Sequence, residues 1–188
     1  MTAMAIYFTS DLHFNNENIL KYCERPYTNV EHMNEELITK WNSVITPEDA
    51  IFVLGDFIMG NSSLESISKI INRLDGHIVL VPGNHDTDAK LKIYREHFSH
   101  KITITLLAKI EEKNSLFICS HYPMFVREWG DQKGTPLYCL SGHTHSKTPF
   151  DKKFPYNYNV GVDANDYKPV SFDKIKRELK EIEKKYVE

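Results

Sequence analysis

Five short apolar runs, each closing on a small polar turn, set the strongest limit on what this chain can fold into. Ala5-Ile6-Tyr7-Phe8-Thr9 closes on Ser10-Asp11, and Ala50-Ile51-Phe52-Val53-Leu54 on Gly55-Asp56. His77-Ile78-Val79-Leu80-Val81 closes on Pro82-Gly83-Asn84, Leu116-Phe117-Ile118-Cys119 on Ser120-His121, and Leu137-Tyr138-Cys139-Leu140 on Ser141-Gly142. These runs are β-branched and aromatic and lack the polar alternation of a sheet with one wet face. They predict strands buried on both sides, and hence an α/β fold class.

Helical periods fill the gaps. Met33, Leu37, Ile38, Trp41, Val44 and Ile45 share one face of a helix, which Thr28 and Glu31 would open as a capping box and which must stop before Pro47. Leu64, Ile67, Ile70, Ile71 and Leu74 mark a second helix, and Leu91, Tyr94 and Phe98 a third. Between residues 102 and 117 the chain turns strand-rich, with Lys113-Asn114-Ser115 as a hairpin turn. From residue 173 to 186, Ile175, Leu179, Ile182 and Tyr186 form a stripe whose Lys and Glu neighbours read as a solvated face. No repeat or linker divides the chain, so residues 1–188 are expected to form a single domain.

Composition removes several functions. Of 188 residues, 41% are hydrophobic and 26% charged, a globular profile. The net charge of −3 offers no general electrostatic grip on nucleic acid. No apolar run approaches the roughly 20 residues of a membrane span, so no membrane partner is expected. Cys23, Cys119 and Cys139 are odd in number and contain no Cys-x-x-Cys pair. A disulfide framework or thiolate zinc site is therefore disfavoured, and a reduced, cytoplasmic protein is expected. Nine histidines are the compositional anomaly.

The residues that close the strands carry the chemistry. They are Asp11 and His13, Asp56, Asn84 with His85 and Asp86, His121, then His143 and His145. Sites in sheets of this kind are built where the carboxyl ends of strands converge. Asp, Asn and His without Cys form a nitrogen/oxygen donor set suited to Mn²⁺, Fe²⁺, Zn²⁺ or a relative. In Asp11-Leu12-His13 and His143-Thr144-His145, a spacing of two would point both side chains to one side of an extended segment. Gly55 and Gly83 would let the chain turn sharply and deliver Asp56 and Asn84. Asp56 has two oxygens and could bridge two cations; Asn84 offers a neutral amide oxygen.

Together, Asp11-Leu12-His13, Gly55-Asp56, Gly83-Asn84-His85-Asp86, His121 and Gly142-His143-Thr144-His145 resemble the motif set of the calcineurin-like metallophosphoesterases. The match runs to about residue 145. Beyond it, Asn159-Val160-Gly161-Val162-Asp163 is similar to the closing strand of small bacterial, archaeal and phage members. The resemblance implies a four-layer α/β/β/α sandwich with a binuclear metal centre on one edge. It implies two divalent metal ions, Mn²⁺ first, with Fe, Zn, Ni or Co as alternatives. Asp11, His13, Asp56 and His145 would bind the first ion, and Asp56, Asn84, His121 and His143 the second.

The implied activity is hydrolysis of a phosphate ester, a small molecule or nucleotide, and a diester more than a monoester. A hydroxide bridging ions roughly 3.5–4 Å apart would attack phosphorus, in a site left net positive after its carboxylates are counted. Protonated His85 would act as general acid, with Asp86 orienting or charge-stabilising its imidazole. No arginine follows Gly55-Asp56, and Asp86 replaces the Glu of the family's protein phosphatases, which argues against a phosphoprotein substrate. A monoesterase, a nuclease and a non-catalytic metal-stabilised interaction scaffold are the alternatives. Arg25 and Arg127 are candidate phosphate clamps, Asn15 and Asn16 candidate substrate contacts, and Tyr122 and Trp129 candidate cleft walls. His32, His77, His97 and His100 are expected to serve surface or capping roles.

Overall fold

Parallel pairing sets the frame. The computed structural model describes residues 4–60, 63–124, 135–151 and 153–186. Strands β1 (Ile6–Thr9), β2 (Ala50–Val53), β3 (His77–Leu80) and β4 (Ile102–Ile104) are parallel neighbours, and β9 (Val170–Ser171) adds an antiparallel edge beside β1. A second sheet runs β5 (Ala108–Glu112), β6 (Ser115–Cys119), β7 (Leu137–Ser141), β8 (Asn157–Asn159); only β5 is antiparallel to its neighbour. The β5–β6 connection turns at Lys113, as the sequence predicts.

Alternation along the buried strands divides the core in two. Ile51 and Val53 of β2, with Ile78 and Leu80 of β3, face helices α2 (Val30–Asn42), α3 (Leu64–Ile71) and α4 (Asp88–His97). Phe52, Leu54 and Val81 face the other way, toward Phe117, Cys119, Tyr138 and Leu140 of the second sheet. Helix α5 (Phe172–Tyr186) adds Phe172, Ile175 and Leu179 to that inter-sheet cluster. Each fully buried side chain of this size contributes roughly 1.5–3 kcal/mol. The chain is thus an α/β protein, as its strand pattern predicts. All three cysteines are free and buried. Among the described residues, no helix is long and apolar enough to cross a membrane.

Several local expectations are corrected. The cap of α2 is Asn29, one residue later than Thr28: its backbone is extended and its side chain accepts the His32 N–H at 2.8 Å. Thr28 instead contacts the His32 ring. The helix stops at Asn42, and Val44 and Ile45 follow in a tight turn on the Trp41 carbonyl. A six-residue helix, α1 (Glu17–Tyr22), is new, as is β9. The closing segment also divides. After β8, Val160 donates to Ser141 O and Val162 to Ser10 O, with Ser10 and Gly161 paired as a bridge. The backbone thereby steps from the second sheet to the first, then makes one 3₁₀ turn at Val162–Ala164.

Candidate metal centre

The parallel strands β1, β2 and β3 end on one edge of the first sheet, and β6 and β7 end on the facing edge of the second. Asp11, Asp56, Asn84, His121 and His143 each lie two to four residues past one of these ends. Their backbone is not the extended segment the two-residue spacing suggests. Ten described non-glycine residues have positive φ, and five of them are expected ligands: Asp11 (56°), His13 (51°), Asp56 (55°), His143 (68°) and His145 (48°). Each such residue costs on the order of 1–3 kcal/mol, and clustering of this kind marks functional sites. Gly55 turns with φ of 88°, as expected. Gly83 acts differently: it has ordinary φ, and an added Cβ would stand 2.8 Å from the Asp56 nitrogen and 2.9 Å from His121 Cε1.

The side chains meet in one cluster. Ligand atoms of Asp11, His13 and His145 lie within 4.8 Å of one another, and so do those of Asp11, Asp56 and His121. Asp56 Oδ2 sits 3.4 Å from His13 Nε2 and 3.6 Å from His121 Nε2. His121 Nε2 lies 2.9 Å from Asn84 Oδ1 and 3.2 Å from His143 Nδ1. His145 Nε2 lies 3.9 Å from Asp11 Oδ1, and the His143 backbone N–H donates to both Asp11 oxygens. Asp11, His13, Asp56 and His121 are buried, whereas Asn84, His85 and His143 are exposed. The cluster therefore opens to solvent on the side of the last three.

Electrostatics fit a cation. His121 Nδ1 lies 2.9 Å from the Leu54 carbonyl, which only accepts, so a neutral ring carries its proton there. The Nε2 lone pair then faces the Asn84 oxygen with no proton between them. His13 Nε2 is buried and has no hydrogen-bond partner. A converging nitrogen/oxygen donor set of this kind is what a divalent ion satisfies. Burial raises the Asp56 pKa, but contacts with His13, the His85 N–H and His121 outweigh it and hold the group at about 2. Burial lowers the pKa of His13, against the pull of Asp56 and Asp11, which favours the neutral ligating form. Burial pushes the Asp11 carboxyl up despite three neighbouring imidazoles, a cost a bound cation would offset.

Other expectations change. Asp86 does not reach the His85 imidazole. Its Oδ2 accepts the N–H groups of Asp56 (2.8 Å) and Gly83 (2.9 Å), and its Oδ1 that of Phe57 (3.2 Å). His85 is held through its backbone: its N–H donates to Asp56 Oδ1 at 3.0 Å, and its carbonyl accepts from the buried Lys90 at 2.9 Å. Arg25 is not a phosphate clamp. It is buried, and its donors go to Asp163 Oδ1 and Oδ2, Leu12 O, Asp11 O and Met33 Sδ. A guanidinium has five N–H donors, so none remains for substrate. Asn15 bonds Asn34 and Ser66, and Asn16 caps α1.

Tyr122 is half exposed, its ring edge-on to His121 and His143, and so stands beside the cluster. Arg127 and Trp129 lie outside the described residues. His32, His77, His97 and His100 are exposed, as expected. One participant was not expected. Asp163, on the 3₁₀ turn, accepts from Arg25 and lies 2.9 Å from His145 Nδ1. Burial raises its pKa, but His145 and Arg25 outweigh that and hold it below the ordinary value. The sequence signal for it is its place at the end of Asn159-Val160-Gly161-Val162-Asp163, which suggests a closing strand but no role for the carboxylate.

Comparison with known proteins identifies a family and several relatives. Residues 4–147 match the family model described as calcineurin-like phosphoesterase. An uncharacterised protein of Methanocaldococcus jannaschii is 35% identical over 182 residues, covering 93% of this chain and 91% of that protein. The gene 66 protein of Mycobacterium phage L5 is 30% identical over 181 residues, covering 84% and 86%. A crystal structure of a protein of unknown function from Aquifex aeolicus superposes with a TM-score of 0.67 at 27% identity, covering 93% of this chain and 98% of that one.

Proposed function

This chain belongs to the calcineurin-like phosphoesterase family, and on that premise we propose that it hydrolyses phosphodiesters at a centre of two divalent metal ions, Mn²⁺ first among them. Asp11, His13, Asp56 and His145 would hold one ion, and Asp56, Asn84, His121 and His143 the other. The observation that carries this reading is the position of Asp56 Oδ2, which faces the Nε2 atoms of His13 and His121 at 3.4 and 3.6 Å. One carboxylate oxygen between two imidazole nitrogens suits a shared ligand. The diester preference rests on the likeness to small family members without caps.

When bound, the ions supply Lewis acidity, attracting an anionic phosphate ester and making water a nucleophile at neutral pH. The chain's own residues set the rest. Asp56 stays ionised through its imidazole and backbone contacts, and His13 stays neutral. The ester enters on the exposed side, where Asn84, His85 and His143 lie. His85 releases a proton from its ring to the departing oxygen, while the bonds from its backbone to Asp56 and Lys90 keep it beside that oxygen.

The test is an assay of the Mn²⁺-loaded protein on an aryl phosphodiester and the matching monoester. Turnover of the diester, lost in Asp56→Ala, is expected. If neither ester is hydrolysed with Mn²⁺, Fe²⁺, Zn²⁺, Ni²⁺ or Co²⁺ supplied, the reading fails.

A further inference from the structure

Arg25 follows α1 and Asp163 lies on the 3₁₀ turn 138 residues later, yet the two form a fully buried ion pair, with side chains 0% and 1% exposed. Arg25 Nε and Nη2 reach the two Asp163 oxygens at 3.0 and 2.9 Å. The same guanidinium holds the carbonyls of Asp11 (2.7 Å) and Leu12 (2.9 Å). Asp163 Oδ2 also meets His145 Nδ1 at 2.9 Å, while the opposite ring nitrogen faces Asp11. An ionised carboxylate only accepts hydrogen bonds, so this contact requires the proton on Nδ1. In the neutral ring the Nε2 lone pair then lies on the Asp11 side.

We propose that Asp163, gripped by Arg25, is a positioning residue that locks His145 in its Nδ1–H tautomer and aims Nε2 at the metal side of the ring. This rests on the reading of His145 as a metal ligand. Two features set the pair apart from an ordinary buried ion pair. One cation organises both halves of a single ligand triad: the backbone that carries Asp11 and His13, and, through Asp163, the ring of His145. Moreover, ligand atoms of Asp163, His145 and Cys23 lie within 4.8 Å of one another, so Asp163 is placed to compete for an ion itself. Pairing both of its oxygens with Arg25 offsets its charge and opposes that. The pair is neutral overall and polarises the imidazole without adding net negative charge to the site.

The first measurement uses the wild-type protein without metal: ¹⁵N NMR of the histidine rings, with His145 assigned from His145→Gln. The Nδ1–H tautomer is expected of the neutral ring, followed upward in pH until it has lost its second proton, and a neutral Nε2–H ring overturns the proposal. The second is Mn²⁺ titration of Asp163→Asn, where affinity should fall roughly 10–100-fold with the amide spectrum of the fold retained. Wild-type affinity in that variant also overturns it. Should Asp163→Asn fail to fold, the wild-type tautomer decides alone. His145→Gln distinguishes the underlying reading: unchanged Mn²⁺ affinity there removes His145 from the ligand set, whatever its tautomer.

Discussion

Asp86 Oδ2 accepts the backbone N–H of Asp56 at 2.8 Å, so the residue after the proposed general acid anchors the loop that carries the proposed shared ligand. The same oxygen takes the Gly83 N–H, and Oδ1 that of Phe57. Asp86 thus ties two site loops together through their amides. Asp86→Asn must turn its NH₂ toward one of these donors. We expect a loss of roughly 1–3 kcal/mol, the cost of a buried donor left unpaired, read by urea denaturation. Unchanged stability would show that the carboxylate is not the anchor.

His85 sits at the open side and is not among the expected metal ligands. His85→Ala should lower turnover of the diester roughly 10²–10⁴-fold, the usual worth of general acid catalysis, with Mn²⁺ affinity kept. Equal loss of metal binding and turnover would instead make His85 a ligand.

The two arginine pairs should behave oppositely. Arg25→Ala leaves Asp163 buried without its guanidinium, with His145 as its remaining close partner, and should cost roughly 3–5 kcal/mol. Arg73 meets Glu35 at 2.6 Å, but both are solvent-exposed. Arg73→Ala should cost roughly 0–1 kcal/mol. Thermal or chemical unfolding of the two variants compares them directly.

Asp49 offers a pH test away from the site. Burial raises its pKa, but the N–H groups of Thr46 and Ala5 and the Thr46 hydroxyl outweigh that and hold it below the ordinary value. A depressed carboxyl stabilises the fold above its unfolded pKa, about 3.9, and the contribution is lost as pH falls through the lower folded value. Asp49→Asn should therefore be less stable than wild type by roughly 1–3 kcal/mol at pH 7, with the gap closing as pH drops below about 4. A gap that widens in acid would reverse the assignment.

Gly142 admits no side chain, since a Cβ there would run into Ser10 and the Asp11 carboxylate. Gly142→Ala should displace Asp11 and weaken Mn²⁺ binding, by roughly 10-fold or more if the displacement acts like loss of a supporting contact. Isothermal titration reads this directly.

What the sequence revealed was local. Ile51 to Leu54 is continuously apolar because both strand faces are buried, and that pattern needs no knowledge of neighbours. The ligand candidates were legible because each ends such a run. Arg25 and Asp163 were not, since nothing near either hints at a partner 138 residues away. Asp86 misled for a similar reason: adjacency to His85 suggested a bond to its ring, whereas its partners lie on β2's loop and at Gly83. The short helix α1 and strand β9 carry too few apolar positions to show a period.

The step of the backbone from β8 across to Ser10 has a consequence for the order of assembly. Asp11, His13 and Asp56 belong to the first third of the chain, whereas His145 and the carboxylate behind it belong to the last, and that carboxylate is in place only when residues 160–163 close against Ser10. Closing so long a loop is among the slow events of folding. Tight metal capture is therefore a late event, and the rate at which refolding protein acquires Mn²⁺ should report the docking of its last strand-to-strand crossing, not the formation of the first sheet.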